Sequence, residues 1–310
     1  MNFVIDFIMN NLSYKAAKKY GLIAFLLLFM AVLLIFSDIT LRASKRGLLL
    51  WSQTMLPTLL PYMIAVNLLL YLLPKNSSYV RGLLVLGPLC GYPMGAKLCA
   101  SLYANGYLTK AQAEYYLPLI NLPSPAYLIS FVCAHALMAD SAGTVICYLL
   151  VLYGATLLYA LISGILLKPF GSGKHADTSG IKQPANTKGD FFDCCILDAF
   201  TAITKLGGYI ILFSILGELV FQLMKPFSEL AALLGVGALE ITNGTEMIIG
   251  SGLLLHQKKN LLLAITSFGG ISCLFQTKSL IAGTDISLTY YLTAKAAAAL
   301  LTILLAGLFI

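Results

Sequence analysis

Charge is what this chain has least of: Asp, Glu, Lys and Arg make up 11% of its 310 residues, against 59% hydrophobic residues. A water-soluble domain of that size with so little charge would have to hold a vast apolar surface against water. The chain is therefore read as one that folds in a bilayer. Histidine is nearly absent too, with three residues, and the seven cysteines (Cys90, Cys99, Cys133, Cys147, Cys194, Cys195 and Cys273) form no CxxC pair and have no histidine at metal-ligand spacing. No metal site and no cofactor are expected, and the cysteines read as reduced packing residues. There is no nucleophile elbow and no Walker loop, and the glycines from Gly87 to Gly95 lack the βαβ context of a dinucleotide fingerprint. An enzyme is not expected. The net charge of +7 is small once spread over many short loops, so it reads as a topology signal and not as a nucleic-acid footprint.

What the chain does have is long apolar runs. The first, Gly21 to Phe36, follows Lys15, Lys18 and Lys19 and resembles a signal sequence. Ser37, Asp38, Arg42, Lys45 and Arg46 come after it in place of a small-residue cleavage pattern, so an uncleaved first helix is expected. Leu48 to Leu73 is long enough to span, at about 1.5 Å per residue against a hydrocarbon core of about 30 Å. Pro57 and Pro61 should kink it, and Trp51 should anchor it at the interface. Further spans are expected at 143–167, 195–224 and 288–310. Between them, 168–190 is rich in Gly, Ser and Lys and without hydrophobic periodicity, which predicts a soluble linker; His175 lies there with no evident partner.

Two glycine-punctuated breaks occupy matching places in the two halves: GPLCGYPMGAK, from Gly87 to Lys97, and GALEITNGTE, from Gly237 to Glu246. Each is followed by a second interrupted apolar segment, LINLPSPAYL after the first and ITSFGGISCL after the second. Backbone freed by a break at membrane depth has to be buried in protein or line a cavity, because lipid cannot hydrogen-bond it. Paired interruptions in two halves point to a transporter site at an inverted-repeat interface. The apolar arms around Gly91 to Gly95 are about ten residues each, roughly half a bilayer, so 81–106 should form a re-entrant hairpin. A second hairpin is expected around Glu240 to Gly250. NGYLTKAQAE reads as a turn and a surface helix capped by Thr109, leading to a span that is broken at Leu122 to Pro125 and runs to about Leu137. The last broken span is expected at 261–282.

The resulting expectation is an all-α polytopic membrane protein with six spanning helices and two re-entrant hairpins. It divides into 1–43 with the first transmembrane helix, a first repeat at 44–167, the linker at 168–190, and a second repeat at 191–310. Three crossings plus a hairpin per half would invert one half relative to the other. The N-terminus, Lys75, Arg81, Lys110 and the linker then share one side, and Arg42, Lys45, Arg46, Lys225, Lys258 and Lys259 the other. The first group is larger and is assigned to the cytoplasm.

Among residues that could carry chemistry, Lys97 falls in the first turn after the Gly91-Tyr92-Pro93-Met94-Gly95 break, where its ammonium and a helix N-terminus could trap an anion. The alternative is a structural ion pair, for instance with Glu246. Glu240 and Glu246 flank the second break, with Thr242, Asn243, Gly244 and Thr245 between them. Carboxylates there could take up a proton or help hold a sodium ion, coupling transport to a gradient. Asn121, Ser124, Ser267, Ser272, Gln276 and Thr277 lie at the broken spans and supply uncharged donors and acceptors; each could equally be a helix-packing polar residue. Lys278 should reach the interface. His135 and Asp140 read as a solvated end of a span.

GYPMGAK with NGYLTKAQAE, then EITNG and SFGGISCLFQTKSLIAGTDIS, resembles the sporulation integral membrane proteins of the YlbJ (SpoVV) type, with paired nucleoside-recognition "gate" domains. The likeness covers roughly Ser44 to Leu301. It implies an architecture resembling concentrative nucleoside transporters, movement of dipicolinic acid across a membrane of the developing spore, and a pathway lined by 91–97, 240–244 and 267–276. Where that family would show an Asn-Asn-Ser-Gly-Pro-like break, this chain has Asn121-Leu122-Pro123-Ser124-Pro125. Independently of the likeness, a flat aromatic dicarboxylate would suit Lys97, two half-helix N-termini and stacking on Tyr92. The expected function is transport of a small organic anion by alternating access, with the bilayer and a coupling proton or sodium ion as partners. A nucleoside transporter on the same fold and a non-transporting sporulation scaffold are the alternatives.

Overall fold

The computed structural model describes residues 2–72, 86–167 and 191–309. The expected linker at 168–190 with His175, and Lys75 and Arg81 before the first break, lie outside the described residues. Two compact units emerge, Met1–Ala43 and Ser44–Ile310. In the first, α1 (Asn2–Ile35) carries the apolar run that follows the N-terminal lysines, and α2 (Ser37–Leu49) begins.

Every regular element among the described residues of the second unit is helical. After α2 the chain passes through a π-helical stretch (Leu50–Met55) into α3 (Leu56–Leu72), then α4 (Leu86–Cys90), α5 (Met94–Ala104), α6 (Lys110–Ile120) and the single turn α7 (Pro125–Tyr127), which continues as a π-helix (Leu128–Ala136). There follow α8 (Ala142–Leu167), α9 (Phe191–Met224), α10 (Glu229–Leu239), α11 (Ile241–Ile249), α12 (Leu255–Phe268), α13 (Gly270–Leu280) and α14 (Leu288–Phe309). Among the described residues six helical stretches are long and apolar enough to cross a membrane: Ser37–Leu69, Lys110–Ala136, Ala142–Ile165, Phe191–Met224, Leu255–Leu280 and Leu288–Phe309; Lys19–Ile35, in the expected first transmembrane helix, is apolar but shorter. Their outer faces are as apolar as their inner ones. Leu150, Leu157, Leu161 and Ile165 of α8, and Leu300, Leu304 and Leu308 of α14, are exposed at helical spacing. Water would penalise such faces, whereas lipid tails solvate them. The protein is a multi-pass integral membrane protein.

Two sequence expectations need correction, the helix after Thr109 and Trp51. Thr109 does cap α6, accepting from Gln112 N at 3.3 Å while Gln112 Oε1 accepts from Thr109 N at 2.9 Å. The helix is not a surface element, however: Ala113, Leu117 and Ile120 are buried, and it forms the first half of the broken span. Pro61 sits inside α3, and a π-helical turn precedes Leu56. Trp51 is no interfacial anchor. Its Nε1 donates to the backbone oxygen of Ile203 at 2.9 Å, and its ring lies on Gly207, where a β-carbon would come within 2.7 Å. A bare glycine on α9 makes that close approach possible.

Candidate functional site

Four interruptions of helical backbone converge. The first is Gly91 to Pro93, between α4 and α5, with Gly91 at φ +74°. The second, Asn121 to Ser124, separates α6 from α7, and there Ser124 Oγ accepts from Tyr127 N at 3.2 Å. The third is the single extended residue Glu240 (φ −149°, ψ 121°) between α10 and α11. The fourth is Gly269 and Gly270, both left-handed at φ +88° and +78°, between α12 and α13. The sequence set this break between Glu240 and Glu246, but Ile241–Ile249 is helical as α11 and the break is Glu240 itself. Gly244 is needed for proximity and not for a break: its β-carbon would lie 2.5 Å from Gly237 Cα of α10, so the two short helices touch backbone to backbone.

Break is seated on break. A β-carbon on Gly91 would come 2.7 Å from Ser124 N, and one on Gly95 would come 2.6 Å from the carbonyl carbon of Ile120 and 2.7 Å from Asn121 Cα. In the second half, a β-carbon on Gly270 would lie 3.2 Å from Leu239 O and 3.4 Å from Glu240 Cα. Gly269 joins the pairs, since its β-carbon would fall 2.7 Å from Tyr92 Oη. Freed backbone groups find partners in protein, as the bilayer demands. Ala96 N donates to Asn121 Oδ1 (3.2 Å), and Pro123 O accepts from Tyr153 Oη (2.9 Å). Asn121 Nδ2 donates to Thr277 Oγ1 and Tyr291 Oη, both at 2.9 Å, tying the second break to α13 and α14.

At the junction lies a cavity of about 50 Å³. Its polar lining is Tyr92, Ser124, Tyr127, Glu240, Thr242, Ser272 and Gln276, closed on the other side by apolar residues such as Met55 and Leu206. Six of these polar residues were singled out from sequence; Tyr127 was not. Tyr127 Oη and Gln276 Oε1 are buried without a hydrogen-bond partner, as are Asn243 Oδ1 and Thr245 Oγ1 on α11. Such orphaned groups are rare in a packed interior and collect here. Glu240, only 4% exposed, is the carboxylate of the cavity, and its Oε2 accepts from Asn243 N at 2.6 Å at the N-terminus of α11. That donor and the positive helix end compensate its burial.

The remaining expected residues fall elsewhere. Pro93 precedes α5 as its N-cap, and Ser267 Oγ accepts from Thr302 Oγ1 at 2.9 Å. Lys97 does not line the cavity: its Nζ lies 3.2 Å from Asn67 Oδ1 and 3.3 Å from Asp198 Oδ2, with the lysine side chain 26% and the aspartate 66% exposed. Glu246 stands one turn beyond Thr242, on the wall of an open vestibule of about 700 Å³ that also carries Lys225 and the Arg46–Glu218 ion pair (3.0 Å). It pairs with His135 Nε2 at 3.0 Å, so His135 is more than a solvated end. Stacked Tyr127 and Phe131 (5.2 Å), then His135 (5.5 Å from Phe131), line one helix face between cavity and vestibule.

Sequence reasoning missed Lys295. It sits in α14, is 1% exposed, and donates from Nζ to Tyr92 Oη at 2.7 Å. A single charge inside an apolar run such as LTAKAAAALLTILL is the signal that would have found it.

No model of a protein family and no solved structure matches this chain. It is similar to the sporulation integral membrane protein YlbJ of Bacillus subtilis (strain 168), with 24% identity over 326 aligned positions that take in 88% of this chain and 78% of that protein. The family likeness seen in the motifs therefore extends over most of the chain.

Proposed function

We propose that the chain is a carrier of a small organic anion during sporulation, and that the cavity at the four breaks is its binding site in a contracted form. The observation that carries this reading is the convergence of four helix interruptions on one small cavity with seven polar side chains in its lining; in this reading α4–α5 and α10–α11 serve as re-entrant hairpins of two inverted repeats. Isolated polar packing would scatter Ser124, Glu240, Thr242, Ser272 and Gln276 over separate helix contacts. Here they share one space with orphaned acceptors.

Dipicolinic acid is the substrate that the family likeness implies. An apolar cavity that admits benzene measures about 150 Å³, so 50 Å³ admits a few waters and no aromatic dicarboxylate. Binding therefore requires the cavity to widen toward the vestibule, which is large enough, and this is the movement that alternating access supplies. Glu240 is the proposed coupling group, with Glu246 at the vestibule end of the same helix. A second reading, a nucleoside carrier, draws on the amide, hydroxyl and carboxylate groups of the lining, none of them cationic. Uptake of labelled dipicolinate and uridine into proteoliposomes separates the readings: dipicolinate alone is expected to enter, uridine alone favours the second, and neither leaves a membrane scaffold.

A further inference from the structure

The lining alone shows a carboxylate and no cation; Lys295, immediately behind it, offsets that charge. Lys295 Nζ lies 4.9 Å from the ring centroid of Tyr92 and 5.7 Å from that of Tyr291, in addition to its hydrogen bond to Tyr92 Oη. Its ion-pair partner is missing: among the described residues, the carboxylates within 4.0 Å of a cation belong to Arg46, Lys97, Lys110 and His135. An ammonium removed from water needs compensation by charge, and two aromatic faces and one phenol supply only part of it. The buried carboxylate of the cavity is already committed, since Glu240 caps the positive end of α11. On the facing side α13 has Gly269 as its N-cap and so no side-chain cap, and Ser272 in its first turn lines the cavity. That helix end therefore presents uncompensated N–H groups next to Tyr92.

We infer that Lys295, acting through the Tyr92 hydroxyl and together with the N-terminus of α13, is the element that recognises a substrate carboxylate. Tyr92 stands between the ammonium and the cavity. Because its oxygen accepts from Lys295, its own hydrogen is free for an acceptor, a carboxylate oxygen when the cavity is filled. A phenol polarised by an adjacent cation donates more strongly than a free one. The incoming anion also provides the countercharge that Lys295 lacks, so a neutral solute of the same shape gains less. Lys295 is thus a positioning and polarising residue, and Tyr92 the contact. The inference rests on the carrier reading for its location, but it concerns charge selectivity and is tested by binding.

The experiment is equilibrium binding of dipicolinate and of its uncharged diamide, pyridine-2,6-dicarboxamide, to the purified full chain, for wild type, Lys295→Met and Tyr92→Phe. Wild type is expected to prefer the dicarboxylate, and Lys295→Met to weaken its binding about tenfold or more, the scale of one lost charge-assisted interaction. Diamide binding should be unchanged. Tyr92→Phe, which removes a single oxygen and keeps the ring, should lose dicarboxylate binding in the same selective way and keeps the test open if Lys295→Met fails to fold. Equal binding of the two compounds by wild type, unchanged dicarboxylate binding in the variants, or parallel loss of both compounds would each overturn the assignment. Selective binding without uptake into proteoliposomes would leave the anion site standing and remove the carrier reading.

Discussion

Replacing Gly95 by Ala tests whether the first break is seated on the second as the structure has it. The added methyl would lie 2.6 Å from the Ile120 carbonyl carbon and 2.7 Å from Asn121 Cα, and closer still to the Ile120 oxygen. Ordinary carbon–oxygen approaches are about 3.3–3.6 Å. These neighbours are backbone atoms, so no flexible side chain can yield, and α5 must retreat by roughly 1 Å. Overpacking of this kind costs about 1–3 kcal/mol, and the retreat also stretches the 3.2 Å bond from Ala96 N to Asn121 Oδ1, worth about 1 kcal/mol more. The sum is about 2–4 kcal/mol, on the order of 3–6 °C in melting temperature for a chain of this size. Gly154→Ala is the internal control: it lies in α8 with nothing within 4 Å of its β-carbon, so alanine there should be neutral or stabilising by up to about 1 kcal/mol. Both variants would be purified in the same detergent and melted side by side. If Gly95→Ala melts together with Gly154→Ala, the close seating of α5 on 120–121 is wrong, and the converging-break argument for the site falls with it.

Glu240→Gln keeps an oxygen to accept from Asn243 N, so α11 should stay capped; substrate exchange between equal pools should persist while gradient-driven accumulation is lost, and accumulation equal to wild type would remove Glu240 as the coupling group. Lys97→Gln breaks a pair whose carboxylate is largely exposed, and is expected to cost no more than about 1 kcal/mol with dipicolinate binding intact, as measured by melting and equilibrium binding. A clear loss of binding would return Lys97 to the site. Asp285, between α13 and α14, is held below the usual carboxylate range by the Tyr103 hydroxyl and by Lys110, 3.4 Å away. A carboxyl lowered by the fold contributes stability above its unfolded pKa of about 4 and loses it as pH falls toward the folded value. Asp285→Asn should therefore melt below wild type at pH 7, with the gap closing on acidification below about pH 4; a gap that is constant with pH would show that the charge is not what holds the loop.

Much of the site was legible because the rules that expose it act over short stretches of chain. Gly91, Pro123 and the Gly269–Gly270 pair stand out inside apolar runs because lipid cannot satisfy broken backbone, so a break in such a run has to be answered by protein. The third break was read between Glu240 and Glu246 and lies at Glu240 itself. GALEITNGTE carries glycines for two different reasons, and only the packing of Gly244 on Gly237 shows that Glu240, and not the glycine, interrupts the helix.

The amino-acid sequence by itself determined the solvent, the helical class and most of the stretches at which the apolar runs break, since each of these follows from composition and local backbone hydrogen bonding. Only the tertiary structure decided which charges meet which space. Lys97 and Lys295 both sit in apolar surroundings in the sequence, yet one turns outward to Asp198 and the other inward to Tyr92. The difference comes from how each helix is rotated about its own axis. Contacts such as Trp51 on Gly207, Gly95 on Ile120 and Tyr92 on Gly269 set that rotation, and they join residues far apart in the chain.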